Sequence, residues 1–598
     1  MILLITPPFV QLNTPYSATP ILSGFLRSRG ADVSQVDLSL KLALHLFSNE
    51  GLIEIAEECR KKPEKTATVQ FFLDKLESYT STVDEVISFL QGRNDAAGWL
   101  IARPGWLPEG PSFNALEPEG TGITADENLA ELFGDLGVAD RAKYLASLYL
   151  DDIALIIREG ADQDFGFSRY AERIAASAPS FSPLQQKLEG ETTYIDRLIE
   201  TMTAETLKKH SPDIAGITIP FPGTLYSALR ICKTIRRCNP DIRIVIGGGY
   251  VNTELRNLTD RRIFEYVDAI LYDEGFEPWL GITGEADSVR TVTRESELPP
   301  DLTASPGGKA HLKPDYDGLN LTEYFSLMEM PNPMHRIWSD GRWLKLQLSN
   351  GCYWNKCAFC DTSLDYIRRY QPPDINELID CIIRLKKETG QSGFHFTDEA
   401  LPPALIRKFC KEIVNRSVVI TWWGNIRFES NFDSTLAQLM ADSGCIAVTG
   451  GLECADNRLL QLMNKGITLE SATKACKALA DAGILVHAYL MYGFPTQTRK
   501  ETVEALDFVR RCFASGCIQS AYWHRFALTT HSPIAKEPEK YGIELIESEH
   551  KEALFAINEI AYREPAAPDH DKLGKSLRHA LYNYMLGLGL DIPAKEWF

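Results

Sequence analysis

The 598-residue sequence has no run of about 20 apolar residues, the length a helix needs to cross a bilayer. It also lacks a basic opening segment. Met1-Ile2-Leu3-Leu4-Ile5-Thr6-Pro7-Pro8 turns polar after a few residues, which is not a secretory pattern and reads as a buried first strand. Positive charge is the minority sign, with 62 Lys and Arg against 81 Asp and Glu, a net charge of −19, and no long basic run. Nucleic-acid binders gain affinity by neutralising phosphates, so this balance has the wrong sign for such a partner. Internal repeats are absent too. The expectation is a cytoplasmic protein with no membrane and no nucleic-acid partner. Cysteine is sparse and odd in number, 13 in all. Three of them fall within nine residues, which suggests a metal site plus buried free thiols and not a disulfide framework.

What is present is an ordinary globular composition, 44% hydrophobic and 24% charged, in a chain too long for one core. The second half has the clearest rhythm. Strands are expected at 343–350, 393–397, 418–423, 445–449, 484–491 and 518–526. Helices are expected at 375–389, 404–415, 434–443, 469–482 and 500–513. Six alternations with short polar joints predict a parallel sheet with right-handed crossovers, an open partial barrel two units short of a closed one. In such sheets chemistry gathers at the carboxyl ends of the strands. Those ends carry the cysteines, Asp398, Glu399, Asn425, Arg427, Glu453 and the turn Tyr492-Gly493-Phe494-Pro495.

The first half holds a second α/β pattern. Strands at 2–5, 33–36, 214–219, 242–246 and 269–272 predict a five-stranded doubly wound domain, split as 1–49 and 206–285. Residues 50–205 form a helix-rich insertion with a Pro/Gly-rich middle at 102–122, expected to be a loop. A linker at 286–329, with Pro299, Pro300, Pro306 and a Gly pair, separates this unit from the barrel at 330–535. A helical, aromatic segment closes the chain at 536–598.

The segment from Gly351 to Cys360 contains Cys352, Cys357 and Cys360 as Cys-x4-Cys-x2-Cys just after a strand. Three thiolates on one loop can ligate three irons of a cubane, leaving the fourth iron free to chelate a cofactor. Phe359 beside the third cysteine can shield such a cluster from water. Zinc competes, but a structural zinc prefers four protein ligands and no second cysteine pair has the spacing. Buried free thiols are the remaining alternative.

These features resemble the radical S-adenosylmethionine superfamily, whose barrel has six units and whose usual spacing, Cys-x3-Cys-x2-Cys, is one residue shorter in the first gap. The resemblance covers roughly residues 330–535. It implies a 4Fe–4S cluster on the three cysteines and S-adenosylmethionine contacts from Phe359, Asp398, Glu399, Arg427, Glu453 and Gly493. Met463-Asn464-Lys465-Gly466 and Gly493-Phe494-Pro495-Thr496 are similar to its later signature turns. For each residue a plainer role exists: Asp398 as a helix cap, Arg427 as a partner of Glu429 or Glu453.

The earlier unit resembles the cobalamin-binding domain that precedes many such barrels. The resemblance rests on Thr6, Pro7 and Pro8 after the first strand, Thr218, Gly247, Gly248 and Tyr250, and Glu274 and Gly275. Asp-x-His-x-x-Gly, whose His ligates cobalt in other cobalamin proteins, is absent from the first loop, as is common in this radical subclass. The resemblance implies a radical formed from S-adenosylmethionine by a reduced cluster, an external flavodoxin or ferredoxin type electron donor, and cobalamin as methyl source. The leading expectation is methyl transfer to an unactivated carbon of a small molecule or peptide, with rearrangement or cyclisation as the alternative. Candidates to line the substrate pocket are Tyr353, Trp354, Trp422, Trp423, Tyr492, Trp523 and His524, with Tyr492 first as a catalytic contact. Strand alternation sends about half of them to the core. Two other classes are weighed: a metal-binding regulator without turnover, and a helical interaction module in 50–205.

Overall fold

The computed structural model describes residues 1–117, 124–134, 136–166, 179–286, 288–300, 302, 313–546, 553–565 and 567–598. Part of the expected 102–122 loop, and Pro306 with the Gly pair of the linker, lie outside the described residues.

Two six-stranded sheets organise the chain. The first comprises β1 (Ile2–Thr6), β2 (Val33–Asp37), β3 (Ile214–Thr218), β4 (Arg243–Gly247), β5 (Ala269–Leu271) and β6 (Thr291–Thr293), in the order β2-β1-β3-β4-β5-β6. All neighbours are parallel except β5 and β6. The sixth strand corrects the expectation of five, and it takes residues assigned above to the linker. Three residues with one buried side chain leave almost no period to read.

The insertion is helical, with long helices Leu76–Leu90, Val138–Gly160 and Tyr194–His210. Its apolar faces do not form a core of their own. Tyr79, Tyr149, Ile153 and Ile199 join Leu3, Ile5, Ile217 and Ile246 of the sheet in one continuous buried cluster. Arg230 and Asp196, both buried, pair at 3.2 Å across that junction.

The second sheet comprises β7 (Leu344–Leu346), β8 (Gly393–Phe396), β9 (Thr421–Ile426), β10 (Cys445–Glu453), β11 (Leu485–Tyr492) and β12 (Ser520–Arg525). The strands are parallel and lie in sequence order, with β7 and β12 at the edges, so the barrel is open. Helices begin with side-chain caps where the sequence offers Asp or Thr: Asp374 before Ile375–Thr389, and a Thr498/Glu501 capping box before Arg499–Ala514.

Alternation along the strands separates two faces. Leu344, Leu346, Phe394, Phe396, Trp422, Val486, Leu490 and Trp523 meet the helix layer. Lys345, His395, Trp423, His487 and Tyr489, one residue out of phase, face the concave side. The floor of that side is closed by helix Pro333–Asp340, whose Met334, Ile337 and Trp338 pack on Trp343, Trp423 and Ala447. Asn13 Nδ2 donates to Trp338 O at 2.6 Å and Thr14 Oγ1 to Trp343 O at 2.5 Å, so a loop of the first unit holds this plug.

The closing segment is less helical than expected. Glu544–Leu545 and Tyr562–Arg563 form an antiparallel pair, and Leu554 O accepts from Thr259 N and Asp260 N of the first unit. Helix His570–Met585 follows and covers the outer face of β11 and β12. No helix among the described residues is long and apolar enough to cross a membrane.

Candidate functional site

The cysteine loop leaves the tip of β7 and is pinned by backbone bonds: Cys352 N to Ile367 O at 2.8 Å and Ala358 N to Met463 O at 2.8 Å. Gly351 has φ +70, and a Cβ there would lie 2.3 Å from Arg369 O, so only glycine fits the entry to the loop. Cys357 is buried, while Cys352 and Cys360 are partly exposed. Burial pushes the Cys357 and Cys360 thiols up, with Lys465 and Arg427 pulling Cys357 back. Arg427 Nη1 lies 3.9 Å from Cys357 Sγ, and the same guanidinium sits 4.5 Å from the Trp354 ring and donates to Glu429 Oε1 at 2.8 Å. Among the described residues no three His, Cys, Asp or Glu side chains are gathered closely enough for a single metal ion.

The remaining tip residues divide by role. Asp398 is buried; its carboxylate accepts from Leu348 N at 2.8 Å and from Ser349 N and Oγ at 2.5 and 2.8 Å. Burial lifts it to about 7, and those donors pull it back. It therefore stitches β8 to the approach of the cysteine loop, and caps no helix. Glu399 faces a cavity and stays accessible within it, with burial raising its pKa. Glu453 pairs with Lys465 at 2.6 Å, both nearly buried, and Lys465 Nζ stands 5.6 Å over the Phe359 ring. Gly493, at φ +74, donates from its N–H to Gln497 Oε1 at 2.7 Å.

Tyr492 is a correction. It is the last residue of β11 but points outward: Arg578 donates to its hydroxyl at 2.7 Å, and a Cβ on Gly574 would lie 2.4 Å from that oxygen. Its even-numbered phase matches Val486 and Leu490, so it belongs to the helix layer, as do Trp422 and Trp523. Tyr489 and His524 face the concave side instead, with ring centroids 6.0 Å apart.

A cavity of about 240 Å³ lies between the carboxyl ends of the two sheets. Thr218, Gly247, Gly248, Glu274 and Gly275 line it from the first sheet; Gln347, Ser349, Thr397 and Glu399 line it from the second. Thr218 Oγ1 is buried there without a hydrogen-bond partner among the described residues. Thr6, Pro7, Pro8 and Tyr250 do not reach the cavity. All four are buried: the chain after β1 dives toward the insertion before helix Ala18–Ser28 returns to the sheet tips, and Tyr250, after β4, packs within the core.

Residues 346–509 match the family model described as the Radical SAM superfamily. The chain carries a radical SAM domain. An uncharacterized methyltransferase of Pyrococcus horikoshii is similar at 28% identity over 341 residues, 54% of this chain and 70% of that protein. An anaerobic magnesium-protoporphyrin IX monomethyl ester cyclase of Rubrivivax gelatinosus is similar at 27% identity over 322 residues, 52% of this chain and 57% of that protein. Among solved structures, the cobalamin-dependent S-adenosylmethionine radical enzyme OxsB with aqua-cobalamin bound aligns with a TM-score of 0.49 and 17% identity, over 64% of this chain and 60% of that one.

The radical SAM domain is tied to the first sheet by a buried ion network that sequence reasoning missed. Arg290, just before β6, pairs with Asp273 and Asp365, each at 2.9 Å. Asp273 also pairs with Arg256, and Asp365 with Arg369. Asp365 opens the short helix that follows the cysteine loop, so the network joins the tip of β5 to the chain that holds Cys352. No spacing signal announces partners 75 residues apart in sequence. Lys465 was visible only as part of a signature turn, without its Glu453 partner.

Proposed function

We propose that this chain is a radical S-adenosylmethionine enzyme that holds cobalamin at its first sheet and transfers a methyl group to an unactivated carbon of a small molecule or peptide. One observation carries the reading: a single cavity touches the carboxyl ends of both sheets, bringing Thr218, Gly247, Gly248 and Glu274 face to face with Gln347, Ser349 and Glu399. Parallel α/β sheets bind ligands at these ends.

The residues present fit both groups. Cys352, Cys357 and Cys360 would hold the 4Fe–4S cluster, and the Arg427 N–H at 3.9 Å from Cys357 Sγ suits a ligand that is a thiolate. The unpartnered Thr218 hydroxyl and the close backbone at the glycines suit the nucleotide tail of cobalamin. When bound, the cluster and S-adenosylmethionine supply a hydrogen-abstracting radical, and cobalamin supplies the methyl group. The protein's own part is to hold and enclose. Trp354 and Tyr353 cover the Arg427 guanidinium, Phe359 closes the loop against an apolar cluster with Phe494 and Phe526, and Glu399 offers an acceptor to an ammonium. An external reductant and a cytoplasmic setting complete the proposal.

Cyclisation is the second reading, favoured by the similarity to the Rubrivivax gelatinosus cyclase. Anaerobic reconstitution with iron, sulfide and hydroxocobalamin tests both. About four irons per chain, retained cobalamin and reductant-dependent 5′-deoxyadenosine support the proposal, and Cys357→Ala should abolish the last. A substrate product heavier by one methylene favours methyl transfer over cyclisation. Zinc in place of iron, with no S-adenosylmethionine cleavage, would overturn it.

A further inference from the structure

Lys345 sits in the middle of β7, and its neighbours Leu344 and Leu346 point into the helix layer. Its own side chain therefore enters the concave side of the barrel, where it is 8% exposed. Its ammonium makes no hydrogen bond and no ion pair among the described residues. The nitrogen lies 5.9 Å from the centroid of the Tyr16 ring. A largely buried lysine without a counter-charge is expensive, and a protein keeps one where something else pairs with it.

Around it, buried polar atoms stand without partners among the described residues. By strand register Lys345 lies beside His395, and His395 lies beside Trp423. Those two rings stack at 3.5 Å and 8°, and burial with the Lys345 charge keeps His395 neutral. Among the described residues Trp423 Nε1 is buried with no acceptor, and His487 Nε2 on β11 is buried with no partner. One step nearer the strand tips, Gln347 reaches the wall of the inter-sheet cavity. Among the described residues no carboxylate offsets Lys345, whose pKa burial lowers to about 7. The Trp423 N–H thus stands unanswered on the same face of the sheet as a cation, with plug residue Trp338 against His487 at 4.5 Å closing the far side.

We propose that the floor of the barrel is an oxyanion subsite, in which Lys345 and Trp423 Nε1 receive a carboxylate or phosphate of the substrate. The inference rests on the reading of the radical SAM domain as catalytic and adds the class of substrate it takes. Lys345 lies four residues before Ser349 at the strand tip, about 13 Å at an extended rise of about 3.3 Å per residue. The substrate would therefore be an anionic molecule whose charged group stands about that far from the carbon that reacts.

The test uses the reconstituted full-length chain with butyrate, inorganic phosphate and neutral butyramide as probes. Acetylation of Lys345 is followed by peptide mass spectrometry, and the thermal midpoint is read in parallel for wild type, Lys345→Met and Lys345→Arg. One of the two anions should slow Lys345 acetylation at least tenfold and raise the wild-type midpoint in a saturable way. Butyramide should do neither, Lys345→Met should lose the midpoint response, and Lys345→Arg should keep part of it. Which anion acts separates a carboxylate from a phosphate substrate. Equal protection by butyramide and the anions, or an unchanged midpoint response in Lys345→Met, overturns the subsite. Formation of 5′-deoxyadenosine by the wild type without added anion is measured alongside. Its loss with anion protection intact would refute the catalytic reading alone; its presence with no protection would refute the subsite alone.

Discussion

Substituting Gly248 by alanine should damage the first sheet more than any other single methyl at the cavity. The residue sits at φ 119 and ψ −174, a region that essentially only glycine occupies. A Cβ there would lie 2.6 Å from Ile219 O and 2.9 Å from its C and N atoms. Ile219 cannot retreat, because its N–H bonds Gly247 O at 2.6 Å and its carbonyl accepts from Tyr250 N at 3.0 Å. Backbone strain costs about 1–3 kcal/mol and overpacking against fixed atoms a similar amount, so about 4 kcal/mol is expected. The chain has more than one core, so one unfolding free energy is not defined and the first thermal transition is the proper readout. At about 2 °C per kcal/mol for a unit of this size, Gly248→Ala should lower it by roughly 8 °C. Gly247→Ala is the control. It lacks a positive φ and its Cβ would meet Leu271 O at 3.1 Å, so a loss of about 2 °C is expected. Cobalamin retention should fall at least tenfold for Gly248→Ala. Equal midpoints for the two variants in scanning calorimetry would refute the reasoning.

Three further outcomes follow from buried or capped charges. Lys465→Met leaves Glu453 buried without its 2.6 Å partner and should cost about 3–5 kcal/mol; adding Glu453→Gln should restore part of the lost midpoint, and a double variant no better than the single refutes the pairing. Tyr492→Phe removes one hydrogen bond from Arg578, about 1 kcal/mol, and should leave 5′-deoxyadenosine formation unchanged; a large loss of turnover would return Tyr492 to the site. Glu501 is held down at about 2, first by the Arg458 hydrogen bonds, against 4.5 unfolded. Its stabilisation is present above 4.5 and is lost as pH falls toward 2. Arg458 is half exposed, so screening leaves about 1 kcal/mol. The midpoint gap between wild type and Glu501→Gln, measured on the apo chain, should therefore shrink from pH 7 to pH 3.

Most of the second sheet was legible because amphipathic helices of 9 to 16 residues alternate with short apolar runs; helix Ile375–Thr389 falls where its period puts it. Strand ends were less legible. β9 begins at Thr421 and not 418, and β10 runs on to Glu453, because hydrogen bonding to neighbouring strands decides where a strand stops. That difference matters at Tyr492. Its position at a strand end was readable, but its side is set by register, and one step of register reverses a side chain.

The sequence by itself determined the two parallel α/β units, the split of the first by a helical insertion, and the loop that carries Cys352, Cys357 and Cys360. These follow from local periodicity, caps and spacing, which need no partner distant in the chain. Tertiary structure alone decided that the insertion shares the first sheet's core, that Arg290 bridges Asp273 to Asp365, and that Tyr492 turns away from the site. It also decided that Lys345 lies unpaired on the barrel floor. Each of these depends on which residues meet across tens to hundreds of positions, where burial changes the cost of a charge and local pattern carries no record of the neighbour.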